Sequence, residues 1–264
     1  MARTKKRIHK KRKSRRYKRK QKGGNLIGKK ILICYATRGD SYEEGQKKLV
    51  ESAKTIGGID EVIALGPDDL SDDFKNTYKQ FFDHKRGGGY WIWKPYIILN
   101  QLHKINDNDI LIYIDSDKSF LTSIDTYLNN FNANKSIMVF QLSDGFLEKY
   151  WTKMDIFKRL QCENNKDITD TPQIESGYAI FRKNQDSFNL LNKWNELNKE
   201  FNLVSDIPSV EPNFEGFFEN RHDQSLFSCL CKINKDNYNI QIEKTPTDYG
   251  NPKRSEGFPQ LLKF

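Results

Sequence analysis

Residues 86–117 read RGGGYWIWKPYIILNQLHKINDNDILIYIDSD, and the last eight of them decide the fold. Ile110, Leu111, Ile112, Tyr113 and Ile114 form an unbroken apolar run rich in β-branched side chains, the pattern of a strand buried on both faces beneath helices. The run stops at Asp115-Ser116-Asp117. In extended backbone, side chains two apart point the same way, so both carboxylates converge just past the strand's carboxyl end. In an open α/β sheet that edge is where ligands bind. The pair reads either as a turn closed by Asx hydrogen bonds or as two ligands of a hard divalent cation, Mn²⁺ or Mg²⁺, that holds a diphosphate.

The residues ahead of the strand add to this. Gly87, Gly88 and Gly89 predict either a close backbone approach to phosphate or a mobile loop, without the spacing of a nucleotide-binding glycine motif. Pro95 suits the first turn of a helix that carries Ile98, Leu102 and Ile105 on one face. Tyr90, Trp91, Trp93 and Tyr96 are packing residues by default, with Tyr90 also a candidate ligand contact. Arg86 and Lys94 are cations beside the sheet edge, placed to reach a diphosphate.

The rest of the chain alternates strand and helix. Strands are expected at Ile31 to Ala36, Glu61 to Leu65, Ser136 to Leu142 and Gln173 to Arg182. The first ends in the polar turn Thr37-Arg38-Gly39-Asp40, where Thr37 is a candidate ligand contact. Ser41 with Glu44 reads as a capping box opening a helix. Further helices are expected over 72–82, 122–131, 148–160 and 185–201, with a polar loop over 162–171. Glu175-Ser176-Gly177 interrupts its strand as a bulge or a close approach. Asp223 opens a last helix on the same face as Leu226 and Phe227, as a cap or a site residue. The segment after Thr245 reads as a loop that folds over the site. This alternation predicts an α/β fold with a mostly parallel, helix-covered central sheet.

Charge is unevenly distributed. The first 22 residues hold 14 Lys or Arg and no acid, leaving 30 basic against 35 acidic side chains in the remainder. Residues 1–25 are expected to be a disordered basic tail and 26–264 the folded domain. The tail is either an electrostatic handle for nucleic acid, an anionic surface or an import receptor, or simply solvated chain. Cys34, Cys162, Cys229 and Cys231 include no C-x-x-C pair and read as small buried apolar residues. No apolar run approaches a membrane span and no signal peptide is expected, so the expectation is a soluble cytoplasmic protein, with nuclear targeting by the tail left open.

Taken in order, GGGYWIWKPYIIL, DILIYIDSD, WTKMD, IESGYAIFRKN and RHDQSLFS resemble a family of GT-A-fold glycosyltransferases found in polysaccharide-synthesis loci and large DNA viruses, over most of residues 28–240. The resemblance implies a Rossmann-like GT-A fold and transfer of a hexose from a nucleoside-diphosphate sugar to a glycan or other hydroxyl acceptor. It implies Asp115 and Asp117 as a D-x-D motif binding metal and donor diphosphate. The chain is also similar to glycogenin-like and blood-group-type transferases, which places Asp223 on the donor sugar and Gln224 near the reacting carbon. Where blood-group-type enzymes carry glutamate, Gln224 is a poor nucleophile, and the glycogenin-like pattern implies retention by front-face attack, with inversion open. Glu175 is an alternative acid or base. Two other readings compete. D-x-D-x-S after a strand resembles the nucleophile motif of haloacid-dehalogenase-type phosphatases, which would make Asp115 the nucleophile; the tail alone would suit a non-enzymatic nucleic-acid-binding protein.

Overall fold

The computed structural model describes residues 28–245, 247–248 and 261–263. The basic tail expected over residues 1–25 and most of the segment after Thr245 lie outside those residues. Six strands make the main sheet in the order β2-β1-β3-β6-β5-β7. They are β1 (Lys30–Tyr35), β2 (Glu61–Leu65), β3 (Ile110–Ile114), β5 (Ile137–Gln141), β6 (Ile174–Arg182) and β7 (Ile240–Lys244). Three short strands, β4 (Ser119–Phe120), β8 (Thr247–Asp248) and β9 (Leu262–Lys263), form a second sheet. Among the described residues no helix is long and apolar enough to cross a membrane.

The five residues of β3 are fully buried, and they alternate between two cores. Leu111 and Tyr113 face the larger one, with the helices Trp93–Lys104, Gln185–Leu197 and Asp223–Ile233. Ile110, Ile112 and Ile114 face the other, against Leu49 and Ala53 of the helix Ser41–Thr55 and against Phe120. All four cysteines are buried, as expected, and burial pushes the Cys34 thiol up to about 12.

The sheet is mostly parallel, as expected, with β6 the exception. β1 pairs in parallel with β2 and β3, and β5 with β7, whereas β6 runs antiparallel to both β3 and β5. That reversal brings the start of β6 to the edge where β3 ends: the Asp115 amide donates to the Gly177 carbonyl at 2.9 Å. The predicted bulge is present as a register shift between Val139 and Gln141, opposite Ile174 to Ala179.

Several expected helices are shorter than their apolar patterns imply. The first is capped by Asp40 rather than by a Ser41–Glu44 box; its carboxylate accepts from the Tyr42 and Glu43 amides and is the stronger acceptor at a positive helix end. The 72–82 stretch breaks at Tyr78 into Asp72–Thr77 and Lys79–Phe82, and 122–131 reduces to Asp125–Leu128. The 148–160 stretch splits into Glu148–Trp151 and Met154–Leu160. Long-range contacts win there: Lys153 Nζ donates to the carbonyls of Ser205 and Ile207, and the Met154 amide is taken by Asn213 Oδ1. The expected loop 162–171 contains a turn, Lys166–Thr169, capped by Asn165. The 185–201 helix stops at Leu197, where Asn198 Nδ2 donates to the Trp91 carbonyl.

The glycine run is neither a phosphate cradle nor an open loop. Gly87, Gly88, Gly89, Tyr90 and Trp91 all have positive φ and form a left-handed turn. The amides of Gly88, Gly89, Tyr90 and Trp91 donate to the carbonyls of Lys85, Arg86, Arg86 and Gly87, so they have nothing left for a phosphate. Glycine is required sterically at 87, where a Cβ would stand 2.3 Å from the Trp91 ring. Tyr90 and Trp91 have side chains in the same region, at roughly 1–2 kcal/mol each, a strain that sustained packing must offset.

Candidate active site

At the carboxyl edge of β1 and β3 lies a cleft of about 200 Å³. Asp115, Ser116 and Asp117 form its floor beside Thr37, Asp40 and Tyr42, and Trp91, Trp93, Gly87, Gly88 and Lys85 face them. The Trp93 ring stacks on Tyr35 at 3.9 Å and its Nε1 donates to the Gly87 carbonyl, which ties the left-handed turn to β1. Thr37 Oγ1 donates to Asp40, the same carboxylate that caps the first helix.

Asp115 sits between two buried ammonium groups. Its Oδ1 is 3.2 Å from Lys94 Nζ and accepts from the Tyr113 hydroxyl at 2.6 Å; its Oδ2 is 4.0 Å from Lys118 Nζ. Burial would raise its pKa, but Lys94, Lys118 and the Tyr113 hydroxyl outweigh burial and hold the carboxyl below its ordinary range. Lys118 also meets Asp117 at 3.2 Å. Burial favours a neutral Lys118, yet Asp115, Asp117 and Glu175 together keep it more strongly protonated than a free lysine.

Lys94 joins the two halves of the site. Only 2 % exposed, it is 3.2 Å from Asp115, 3.2 Å from Asp223 Oδ2 and 3.2 Å from Ser176 Oγ. Burial pulls its pKa down, and the two carboxylates overcome that and raise it. Asp223 is buried at the start of its helix, where burial raises its pKa against the opposing pull of Lys94; Ser176 Oγ donates to it at 2.8 Å. It is therefore neither a solvated cap nor an isolated acid. Gln224 is held at both ends: its Nε2 donates to Gln173 Oε1 at 2.8 Å, and its Oε1 accepts from the Ser176 amide at 3.3 Å. Gln173 Nε2 in turn reaches the buried Glu148, itself paired with Lys232 at 3.0 Å.

The structure thus brings Asp115, Asp117, Lys94, Asp223, Gln224 and Glu175 to one edge, with Thr37 on the cleft wall. Glu175 is buried and accepts from Thr245 Oγ1. Arg86 and Tyr90, expected as donor contacts, do not line this cleft. Arg86 pairs with Asp206 at 3.2 Å and Glu219 at 3.7 Å, and the Tyr90 hydroxyl donates to the other Asp206 oxygen at 3.2 Å. Their partners come from the irregular segment after Val204, whose position no local pattern reveals. Lys94 is likewise committed to carboxylates and has no ammonium proton in reserve for a diphosphate. The cation on the cleft wall is Lys85, which forms no ion pair among the described residues. It lies two residues before Gly87, where the glycine turn begins.

His222 was also not singled out. It precedes Asp223 at φ 53° and ψ −123°, a conformation that costs a non-glycine residue on the order of 1–3 kcal/mol. Its Nδ1 lies 2.6 Å from the Val204 carbonyl, which can only accept, so that nitrogen carries the proton. Burial pushes its pKa down and keeps the ring neutral. The buried ring fixes the strained step that turns Asp223 inward.

Gly177 explains the glycine seen inside the β6 pattern. A Cβ there would be 2.7 Å from Asp115 Oδ2 and 3.0 Å from Lys118 Nζ. Asp115 is held by Lys94 and Tyr113 and cannot swing away freely. Gly177→Ala is therefore expected to lower the melting temperature by several degrees and, if Asp115 acts in turnover, to lower turnover about 100-fold, the effect of displacing such a group by roughly 1 Å. Turnover unchanged alongside an unchanged fold would show that Asp115 has room to move.

The donor set fits a hard divalent cation. Asp115 and Asp117 offer carboxylate oxygens at the cleft, and Asp117 is 42 % exposed. Among the described residues no group of three or more His, Cys, Asp or Glu side chains converges on a metal position. Two protein carboxylates with the remaining positions left to phosphate and water is a common arrangement for Mg²⁺. Lys118 fills the same electrostatic role at the pair and would have to yield to a divalent ion.

The fold is similar to that of solved GT-A type glycosyltransferases. No family model matches the chain, and no curated protein matches its sequence. Among solved structures, mouse xyloside xylosyltransferase 1 is similar with a TM-score of 0.50 and 11% identity, over 89% of this chain and 96% of that one. The bifunctional glycosyltransferase WbbM gives a TM-score of 0.50 and 10% identity over 90% of this chain and 46% of WbbM, so the chain spans about half of that protein. A glycosyltransferase involved in glycosylation of the major capsid of PBCV-1 gives a TM-score of 0.44 at 11% identity, over 89% and 91% of the two chains. At these identities the likeness of the first two establishes the fold alone.

Proposed function

We propose that this protein transfers a hexose from a nucleoside-diphosphate sugar to a hydroxyl acceptor, with Mn²⁺ or Mg²⁺ held by Asp115 and Asp117. The observation that carries this reading is the placement of both aspartates on the floor of an aromatic-walled cleft at the sheet's carboxyl edge, one lysine away from Asp223. Thr37, Tyr42 and the tryptophans would receive the nucleoside, and Lys85 the diphosphate. A bound divalent ion would supply Lewis-acid stabilisation of the departing nucleoside diphosphate. Asp223, oriented by Lys94 and Ser176, would accept hydrogen bonds from the donor sugar.

Gln224 supports displacement without a covalent intermediate. A carboxamide is a poor nucleophile and both ends of this one are hydrogen-bonded, so double displacement through Gln224 is not favoured; the glycogenin-like pattern points to front-face attack with retention, with inversion as the alternative. Glu175, buried against Thr245, remains the candidate proton acceptor. The phosphatase reading is not favoured, because the solved structures similar to this chain are glycosyltransferases. The tail-driven nucleic-acid reading concerns residues outside those described.

A panel of nucleoside-diphosphate sugars incubated with the protein and Mn²⁺ tests the reading. Release of nucleoside diphosphate from at least one donor is expected. A panel in which every donor stays intact, with and without candidate acceptors, would overturn it.

A further inference from the structure

The cation position between Asp115 and Asp117 is already taken. Lys118 Nζ lies 3.2 Å from Asp117 Oδ1 and 4.0 Å from Asp115 Oδ2, and Glu175 adds a third negative charge nearby. Local geometry brings the lysine there. Its amide donates to the Asp115 carbonyl at 3.3 Å, which closes a turn, and the side chain folds back over the two aspartates with only 5% of it exposed. Gly177 makes the room: a Cβ there would stand 3.0 Å from the ammonium and 2.7 Å from Asp115 Oδ2. β6 thus presents bare backbone where ammonium and carboxylate meet.

The two oxygens of Asp115 are not equivalent. Oδ1 is engaged by the Tyr113 hydroxyl at 2.6 Å and by Lys94 at 3.2 Å, so Oδ2 is the oxygen left for an ion. Oδ2 is also the one that faces Lys118. An ion shared by that oxygen and Asp117 needs the space of the ammonium, and two cations so close repel strongly in a buried site. Lys94 is not in this competition, because it stands on the other side of Asp115, against Asp223 and Ser176.

We infer that Lys118 is a built-in rival of the divalent ion, so that metal alone binds weakly and enters together with the nucleotide. This rests on the glycosyl-transfer reading above. To admit the ion, the ammonium must leave two carboxylates, and a buried charge that loses its partners is costly. A diphosphate brings negative charge into the cleft that Asp117 lines, so the expelled ammonium gains a new partner when nucleotide is present. Metal and nucleotide are then coupled through Lys118, each raising the other's affinity by the same factor. Without either ligand, the lysine keeps the neighbouring aspartates from repelling one another.

Mn²⁺ binding to the full chain without nucleotide, read by electron paramagnetic resonance of the free ion, tests this. Lys118→Met nearly keeps the volume and removes the charge, and it is expected to bind Mn²⁺ at least about tenfold more tightly than wild type, since a positive charge is removed from beside a divalent ion. Lys118→Arg, which keeps the charge, is expected to bind no more tightly than wild type. Adding Asp117→Asn to Lys118→Met is expected to abolish the gain, which locates the ion. A nucleoside diphosphate is expected to raise Mn²⁺ affinity more in wild type than in Lys118→Met. Lys118→Gln is a second neutral variant that can still hydrogen-bond a carboxylate, and circular dichroism with and without Mn²⁺ checks the fold of each. The proposal is overturned if the neutral variants bind Mn²⁺ no more tightly than wild type or fail to fold even with Mn²⁺ present. It is overturned equally if Lys118→Arg matches Lys118→Met, if the gain survives Asp117→Asn, or if nucleotide enhances Mn²⁺ binding to the same degree in wild type and Lys118→Met. Donor hydrolysis, measured separately, reports on the transfer reading. Tighter Mn²⁺ binding in the neutral variants supports the rivalry even where no donor is hydrolysed, and hydrolysis alongside unchanged Mn²⁺ binding overturns the rivalry alone.

Discussion

Replacing Lys94 with methionine is expected to destabilise the protein by about 3–5 kcal/mol, the usual cost of removing one partner from a buried ion pair. Methionine nearly preserves the volume, so the loss is electrostatic. Asp115 is partly exposed and can regain some water, whereas Asp223, with 5% of its side chain exposed, cannot. Thermal unfolding should fall by on the order of 10 °C. The pH dependence has a definite sign. Burial already raises the Asp223 pKa, and losing the lysine raises it further above its unfolded value. A carboxyl with a raised folded pKa binds its proton more tightly in the folded state, so the variant's deficit is largest near neutrality and shrinks as pH falls toward the unfolded value of about 3.9. Adding Asp223→Asn to the lysine variant should restore much of the stability. A Lys94→Met protein as stable as wild type at pH 7, with no change on acidification, would mean that Lys94 does not bridge the two aspartates.

The second large effect is chemical. Asp115→Asn/Asp117→Asn is expected to lower nucleoside-diphosphate release at least about 10³-fold at saturating Mn²⁺, since several kcal/mol of transition-state stabilisation are lost with the cation. The fold should tolerate Asp117→Asn well, because among the described residues its ion pair is with Lys118 alone and the side chain is 42% exposed. Asp115→Asn removes a partner from Lys94 but leaves it Asp223, so a moderate loss of stability is expected beside the loss of turnover. Release by the double variant at the wild-type rate would remove both aspartates from the chemistry.

What the sequence disclosed follows the range of the interactions involved. The buried strand at 110–114, the aspartates past its end and the inward carboxylate at 223 are set by local periodicity, and each stands where the pattern puts it. The glycine in IESG announces a close approach, but not that the neighbour is Asp115, 62 residues earlier in the chain. Helix ends were least legible because distant groups decide them: Asn213 and Asn220 bind the amides of Met154 and Lys153 and break an apolar stripe that would otherwise continue as helix. The partners of the cations are set by distant groups in the same way. Arg86, Lys85 and Lys94 lie within nine residues and carry the same charge, and what separates them is which carboxylates arrive from elsewhere. Asp206 and Glu219 capture Arg86, Asp115 and Asp223 capture Lys94, and Lys85 is left at the cleft. The antiparallel course of β6 also escapes a pattern of alternating strands and helices, yet it is what sets Ser176 and Gly177 beside Asp115.

Calorimetric titration of nucleoside diphosphates into the protein, with and without Mn²⁺, tests the assignment of the cleft most directly. Wild type is expected to bind one nucleotide per chain, at least about tenfold more tightly with Mn²⁺, and Asp117→Asn is expected to keep the metal-free affinity and lose that gain. Equal enhancement by Mn²⁺ in both proteins, or no nucleotide binding in either, would contradict a metal-assisted nucleotide-sugar site at Asp115 and Asp117.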